Sequence, residues 1–202
     1  GRMVGVVTHD DVRDVIQEEA TEDIHRLGGT EPLEEPYLRA RLGTLVRKRI
    51  VWLLLLFLAQ SVTTSILRHY EDALQVVVAL AFFIPLLIDT GGNAGSQAST
   101  LVVRALALGE VTLRDILRIV ALEGRVALAL GAIMGSVGLL WALVLEAQIG
   151  LAVTVALSVA LVVLAASIVG ALLPLLAQRL GFDPAVFSSP LITTVADAVG
   201  LL

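Results

Sequence analysis

The chain has no cysteine. That excludes disulfides, thiolate metal sites and cysteine nucleophiles, and leaves the redox compartment unidentified. Its three histidines, His9, His25 and His69, are scattered among polar neighbours and read as surface residues rather than metal ligands. A basic excess is missing too. Nineteen acids against 14 Lys and Arg give a net charge of −5, so nucleic-acid binding has no support. Nothing at the start reads as a signal peptide, because Gly1 to Val7 is a short apolar, strand-like run and acids follow at once.

What is present is apolar surface. Hydrophobic residues make up 57% of the 202 positions, above the roughly 45–50% of soluble domains, and the mean hydropathy is +0.90. Polar residues crowd into the first fifty positions, so the chain reads as a short soluble segment followed by one all-α membrane domain.

The soluble segment opens as a strand leading into a helix. Thr8 is placed as N-cap with Asp11 three residues later as its capping-box partner. Val12, Val15, Ile16, Ala20, Ile24 and Leu27 keep helical spacing, and Gly28-Gly29 ends the pattern. Residues 30–35 form a linker. The other face carries Asp11, Asp14, Glu18 and Glu22 at i+3 and i+4 steps, with Asp10, Glu19 and Asp23 beside them. Like-charge pairs at this spacing cost roughly 0.2–0.5 kcal/mol each in an isolated helix. Two readings are open: a solvated acidic face, or a face completed by divalent cations.

Beyond Pro36 five apolar stretches follow, judged against the roughly 20 residues that cross a bilayer core. They are about 50–67, 73–103, 118–145, 149–178 and a last one starting near Phe187, too short to span and expected to continue past Leu202. Arg39, Arg41, Arg47, Lys48 and Arg49 precede the first. Arg104, Arg114, Arg118 and Arg125 surround the loop after the second, and Arg179 follows the fourth. This bias predicts a cytoplasmic N-terminal segment and an external C-terminus. Gly124, Gly131, Gly135 and Gly138 form a stripe that reads as a helix-packing seam.

The second stretch is interrupted by PLLIDTGGNAGSQAST, Pro85 to Thr100. Pro85 removes a helical hydrogen bond and Gly91-Gly92 loosens the backbone. A broken span with carbonyls free to face an ion is therefore expected, lining water or buried in protein. Asp89 and Asp197 are acids in predicted spans without an obvious basic neighbour in sequence, which makes them functional candidates; each also has a plain reading as a carboxylate hydrogen-bonded within the bundle. The tripeptide Asp89-Thr90-Gly91 matches soluble aspartic proteases, but those are β-sheet proteins. Ile88 and Ala196 also stand where intramembrane aspartyl proteases want tyrosine and glycine, so an enzyme is not expected.

The motifs P-x-x-x-D-x-G-G-N-x-G-x-Q, Pro85 to Gln97, and D-P-A-x-x-S-x-P-x-x-T-T-x-x-D-x-x-G, Asp183 to Gly200, resemble the MgtE family of magnesium channels. Residues 1–8 resemble the end of a CBS domain, 9–35 the family's connecting, or plug, helix with its linker, and 36–202 its transmembrane pore domain, with a cytoplasmic N-domain and most of the CBS pair missing. The resemblance implies a homodimer in the cell membrane, five transmembrane helices per subunit and a pore on the two-fold axis lined by the second and fifth. It implies that Asp197 holds hydrated Mg²⁺ in the pore, with Asp89 beside it. Gly91, Gly92, Asn93, Ser189, Thr193 and Thr194 would line it. Acids of the connecting helix, Asp11, Asp14, Glu18, Glu19 and Glu22, would bind cytoplasmic Mg²⁺ and hold the pore closed. Nucleotide binding at the CBS region is an open possibility. Asp89 stands where some members have glycine and Ser189 where some have asparagine.

Mg²⁺ releases water reluctantly and prefers six oxygens, so a pore should pass it hydrated. Paired Asp197 carboxylates would form an acidic ring of the kind that selects cations. Hard oxygen donors suit Mg²⁺, with Mn²⁺ or Ca²⁺ as surrogates, over Zn²⁺ or Cu. The alternative is a proton- or Na⁺-coupled secondary transporter with a midplane site in broken helices. A non-conducting membrane scaffold or sensor leaves the polar motifs unexplained.

Overall fold

The computed structural model describes residues 5–33, 35–72, 78–146, 148–184 and 189–201, and among these it is all helical, without a strand. The helices are α1 (His9–Leu27), α2 (Leu42–His69), α3 (Val78–Ala81), α4 (Ile84–Ala107), α5 (Ile116–Glu146), α6 (Ile149–Arg179) and α7 (Ser189–Gly200), with 3₁₀ turns at Tyr37–Arg39 and Leu113–Asp115.

Local signals fix α1. Thr8 Oγ1 accepts from the Asp11 amide at 3.3 Å and the Asp11 carboxylate accepts from the Thr8 amide at 2.7 Å, closing the capping box. Asp10 and Asp11 sit in the first turn, and His25 and Arg26 in the last, as the helix dipole favours. Gly28 caps the end, and Gly29 takes φ +69, where a side chain would also strike the Trp52 indole of α2. The strand expected before Thr8 is absent over Gly5–Val7, because no second strand in the described chain offers it a ladder; residues 1–4 lie outside the described part. The apolar face of α1 is also left open among the described residues: Val12, Val15, Ile16 and Ile24 are all exposed.

Among the described residues four helical segments are long and apolar enough to cross a membrane: Leu42–His69, Val78–Ala107, Leu113–Glu146 and Ile149–Arg179. They correspond to the first four predicted stretches. The first begins earlier than predicted, so Arg47, Lys48 and Arg49 belong to the opening turns of α2. The fifth stretch appears as α7, whose 12 residues rise about 18 Å, short of a core about 30 Å thick. Its predicted start at Phe187 and residues 73–77 of the second stretch lie outside the described part.

Helix α6 is the hub, packing against α5, α4 and α7, whereas α2 stands at the periphery and packs on α7. Half of the apolar window of α6 is buried, against 6% for α2. Lipid gives apolar helices no hydrophobic reason to associate, so close contact between small residues must hold them. Gly131 and Gly135 provide it on α5: a Cβ there would lie 2.9 and 2.8 Å from the carbonyls of Ala160 and Ala156 on α6. Gly138 faces Val159, while Gly124, expected in the same seam, faces open space. Phe83, Leu151, Val155, Val159 and Val163 fill one core cluster; Ala98, Val102, Leu106, Ile119 and Leu175 fill a second.

Candidate cation site

Helix α4 runs unbroken through the motif from Ile84 to Ala107, which corrects the expected interruption. The break lies before it. Pro85 has no N–H to offer Ala81, and the chain tightens there: Phe82 N bonds Ala79 O at 3.3 Å and Phe83 N bonds Leu80 O at 3.0 Å. Pro85 falls in the first turn of α4, where its missing donor costs nothing. The glycines do not free carbonyls for an ion; they remove side chains where neighbours press close. A Cβ on Gly91 would lie 2.6 Å from Val162 Cγ1, and one on Gly92 2.7 Å from Thr193 Cγ2. Both glycines are buried.

The other side of α4 is polar. Asp89, Asn93, Gln97 and Thr100 are exposed, with Ser96 half-buried among them, a stripe at helical spacing along an apolar span. Asn93 Nδ2 donates to Asp89 Oδ2 at 3.1 Å. Helix α7 lays a second stripe beside it. Ser189 Oγ donates to Ser96 Oγ at 3.1 Å, Ser96 Oγ and Thr193 Oγ1 are 3.3 Å apart, and Thr193 Oγ1 donates to Ser189 O at 2.9 Å. Thr194 instead donates back to Pro190 O at 3.0 Å.

Two turns beyond Ser189, Asp197 is 7% exposed. Its carboxylate meets the side-chain amide of Gln60 on α2 and feels the charge of Asp89 on α4. Among the described residues Oδ1 is buried without a hydrogen-bond partner, and no described ion pair involves Asp197. A buried, unpaired carboxylate oxygen is costly unless a donor reaches it. Water held by a divalent cation is such a donor. Among the described residues no group of three or more His, Asp or Glu is gathered to hold a bare metal ion. Asp89 and Asp197, both candidates from the sequence, lie on α4 and α7, which pack against each other. Gln60 was missed; the one amide opening the hydroxyl-rich stretch that follows the apolar run 51–59 was the available signal.

On α1, Asp11 is committed to its cap, and the Thr8 hydroxyl and amide hold its carboxyl below the ordinary carboxylate value. Glu19 is exposed, while Asp14, Glu18 and Glu22 border an open groove of about 780 Å³ with Glu31 and Lys48. Glu22 pairs with Arg26, which also pairs with Asp183 in the connection between α6 and α7. Lys48 donates to Pro32 O. The histidines prove unequal: His9 and His69 are exposed, whereas His25 is half-buried with Nδ1 unpartnered.

The sequence model of the MgtE divalent cation transporters matches residues 84–202, more than half of the chain and the whole of the polar site on α4 and α7. The chain belongs to the MgtE family. It is 45% identical over its full length to the magnesium transporter MgtE of Thermus thermophilus. It is 32% identical to the magnesium transporter MgtE of Bacillus subtilis, over 99% of the chain, and 36% identical to that of Enterococcus faecalis, again over 99%. It spans less than half the length of these relatives, 44–45% of each. The relatives are named transporters, not enzymes. Membership in the MgtE family and the four long apolar helices make this chain part of a membrane protein.

Proposed function

We propose that this MgtE-family chain forms the pore part of a Mg²⁺-selective channel for magnesium uptake, closed by cytoplasmic Mg²⁺. The carrying observation is the polar strip of α4 and α7 on an apolar bundle, ending at the buried, partly unpartnered carboxylate of Asp197. Substrate Mg²⁺ passes hydrated, its water donating to Asp197 and Asp89 and exchanging hydrogen bonds with Asn93, Ser189, Thr193 and Thr194. Gly91 and Gly92 serve the pore by letting α6 and α7 approach α4. Outer-shell contact binds weakly enough for release.

Two copies would place paired Asp197 carboxylates about a two-fold axis, each subunit crossing the membrane five times with α7 as part of the fifth span. The basic flank of α2 orients the N-terminal side to the cytoplasm and the C-terminal side outward. Residues 1–8 would form the end of a CBS domain, and 9–35 the connecting helix with its linker. Asp14, Glu18, Glu19 and Glu22 would bind regulatory Mg²⁺, with Asp11 holding the helix end. Mn²⁺ and Ca²⁺ are the natural surrogates for this oxygen donor set.

A coupled transporter is the second reading, favoured by the two neighbouring carboxylates. Mg²⁺ flux in liposomes holding the full-length protein separates the two. A channel conducts with proton and Na⁺ gradients collapsed. Flux that stops when either gradient is removed supports coupling, and no cation flux under any gradient contradicts both.

A further inference from the structure

Helix α2 is apolar from Val51 to Ala59, and then places Gln60, Ser61, Thr63, Thr64 and Ser65 in the span. The two serines satisfy themselves locally, Ser61 donating to Leu58 O and Ser65 to Ser61 O at 2.9 Å. Gln60 has a longer arm and a primary amide that apolar surroundings cannot satisfy. It lies one turn before Thr63, the only buried residue of α2, on a helix whose packing partner is α7. There its amide meets the Asp197 carboxylate. An ionised carboxylate only accepts, so Gln60 must present its N–H.

We infer that Gln60 is a positioning residue for the cation site: its amide fixes the Asp197 carboxylate so that Oδ1 stays a free acceptor for the water of a hydrated divalent cation. The inference rests on the reading of Asp197 as the ion site. It adds α2, a peripheral helix, to the elements that set the affinity of that site. Hydrogen bonds between helices in lipid are modest but usable for orientation. A mobile carboxylate would instead spend part of its time turned away from the ion path.

The test is Mg²⁺ flux against Mg²⁺ concentration, in liposomes holding the full-length protein as wild type, Gln60→Met, Gln60→Glu, Asp197→Asn and the double variant Gln60→Met/Asp197→Asn. Methionine keeps length and apolar packing without the donor; glutamate keeps shape and replaces the donor by a repelling charge. The expected result is a half-saturating concentration raised about three- to tenfold in Gln60→Met, more in Gln60→Glu, with maximal flux changed less. In the Asp197→Asn background Gln60→Met should add nothing. Wild-type half-saturation in both Gln60 variants, with a shift in Asp197→Asn, overturns the inference and leaves the ion site standing. Additive effects in the double variant reduce Gln60 to a packing role and also overturn it. Unchanged half-saturation in Asp197→Asn removes both readings. If Gln60→Met does not fold, Gln60→Glu decides on the same measurements.

Discussion

Gly170 of α6 faces Gly95 of α4 across a backbone-to-backbone approach that leaves no room for a methyl group on Gly170 and only a tight fit for one on Gly95. A Cβ on Gly95 would stand 3.0 Å from Ala166 O, and one on Gly170 would press into the carbonyl of Gly95 itself. This crossing sets the distance between the hub helix and the helix that carries the polar stripe. Neither atom can yield, because both belong to helical backbone. Gly170→Ala is expected to destabilise the bundle by at least about 1–3 kcal/mol. Gly124→Ala, with nothing near it, should be neutral or slightly stabilising. Thermal unfolding of the two variants in detergent checks the contrast.

The hydroxyl cluster of Ser96, Ser189 and Thr193 couples α4 to α7. Each hydroxyl has a partner, so removing one orphans another. Ser96→Ala and Thr193→Val should be non-additive, with a coupling of about 0.5–1 kcal/mol as for other interhelical hydrogen bonds in membranes. A double-mutant cycle on denaturation in micelles measures it; strict additivity would mean that the cluster contributes no cohesion.

Arg26 fastens the end of α1 to the membrane part by pairing with Asp183 while holding Glu22. All three side chains are partly solvated, so salt weakens the fastening and its worth is at most about 1 kcal/mol. Asp183→Asn should increase proteolytic nicking around Gly28-Gly29 by no more than about fivefold. Raised salt should reproduce the effect in the wild type, and the reversed pair Arg26→Asp/Asp183→Arg should largely undo it.

The cap of α1 carries a pH dependence. Because Thr8 holds the Asp11 carboxyl below its ordinary value, the cap's stabilisation is complete above the unfolded pKa of about 3.9. It is lost as pH falls through the lower folded value. The cap's contribution to α1 should therefore stay constant from neutral pH down to about 4 and decline only below it. Thr8→Ala should move the Asp11 titration up toward the ordinary value, as read by carboxyl NMR shifts.

Much of this was legible in the sequence because the signals were local. The Thr8–Asp11 cap, the Gly28-Gly29 stop and three of the apolar stretches sit within a few residues of where spacing puts them. The interruption was misread for a physical reason: proline and paired glycines score as helix breakers in water, yet Pro85 occupies a first turn and the glycines are buried where α6 and α7 press in. Close approach between helices is a tertiary fact, and the same limit hid Gly170 and Gln60. The strand-like valines before Thr8 need a partner that the described chain does not contain, so their pattern alone was insufficient.

Asp197 is proposed to hold the passing cation. The most direct test of that role is Mg²⁺ flux into liposomes containing the full-length wild type or Asp197→Ala, with Mg²⁺ varied on the cytoplasmic side. Wild-type flux is expected to fall as cytoplasmic Mg²⁺ rises, and Asp197→Ala to lose flux with its fold intact. Flux unchanged in Asp197→Ala would contradict that role and shift the ion path to Asp89 and Asn93.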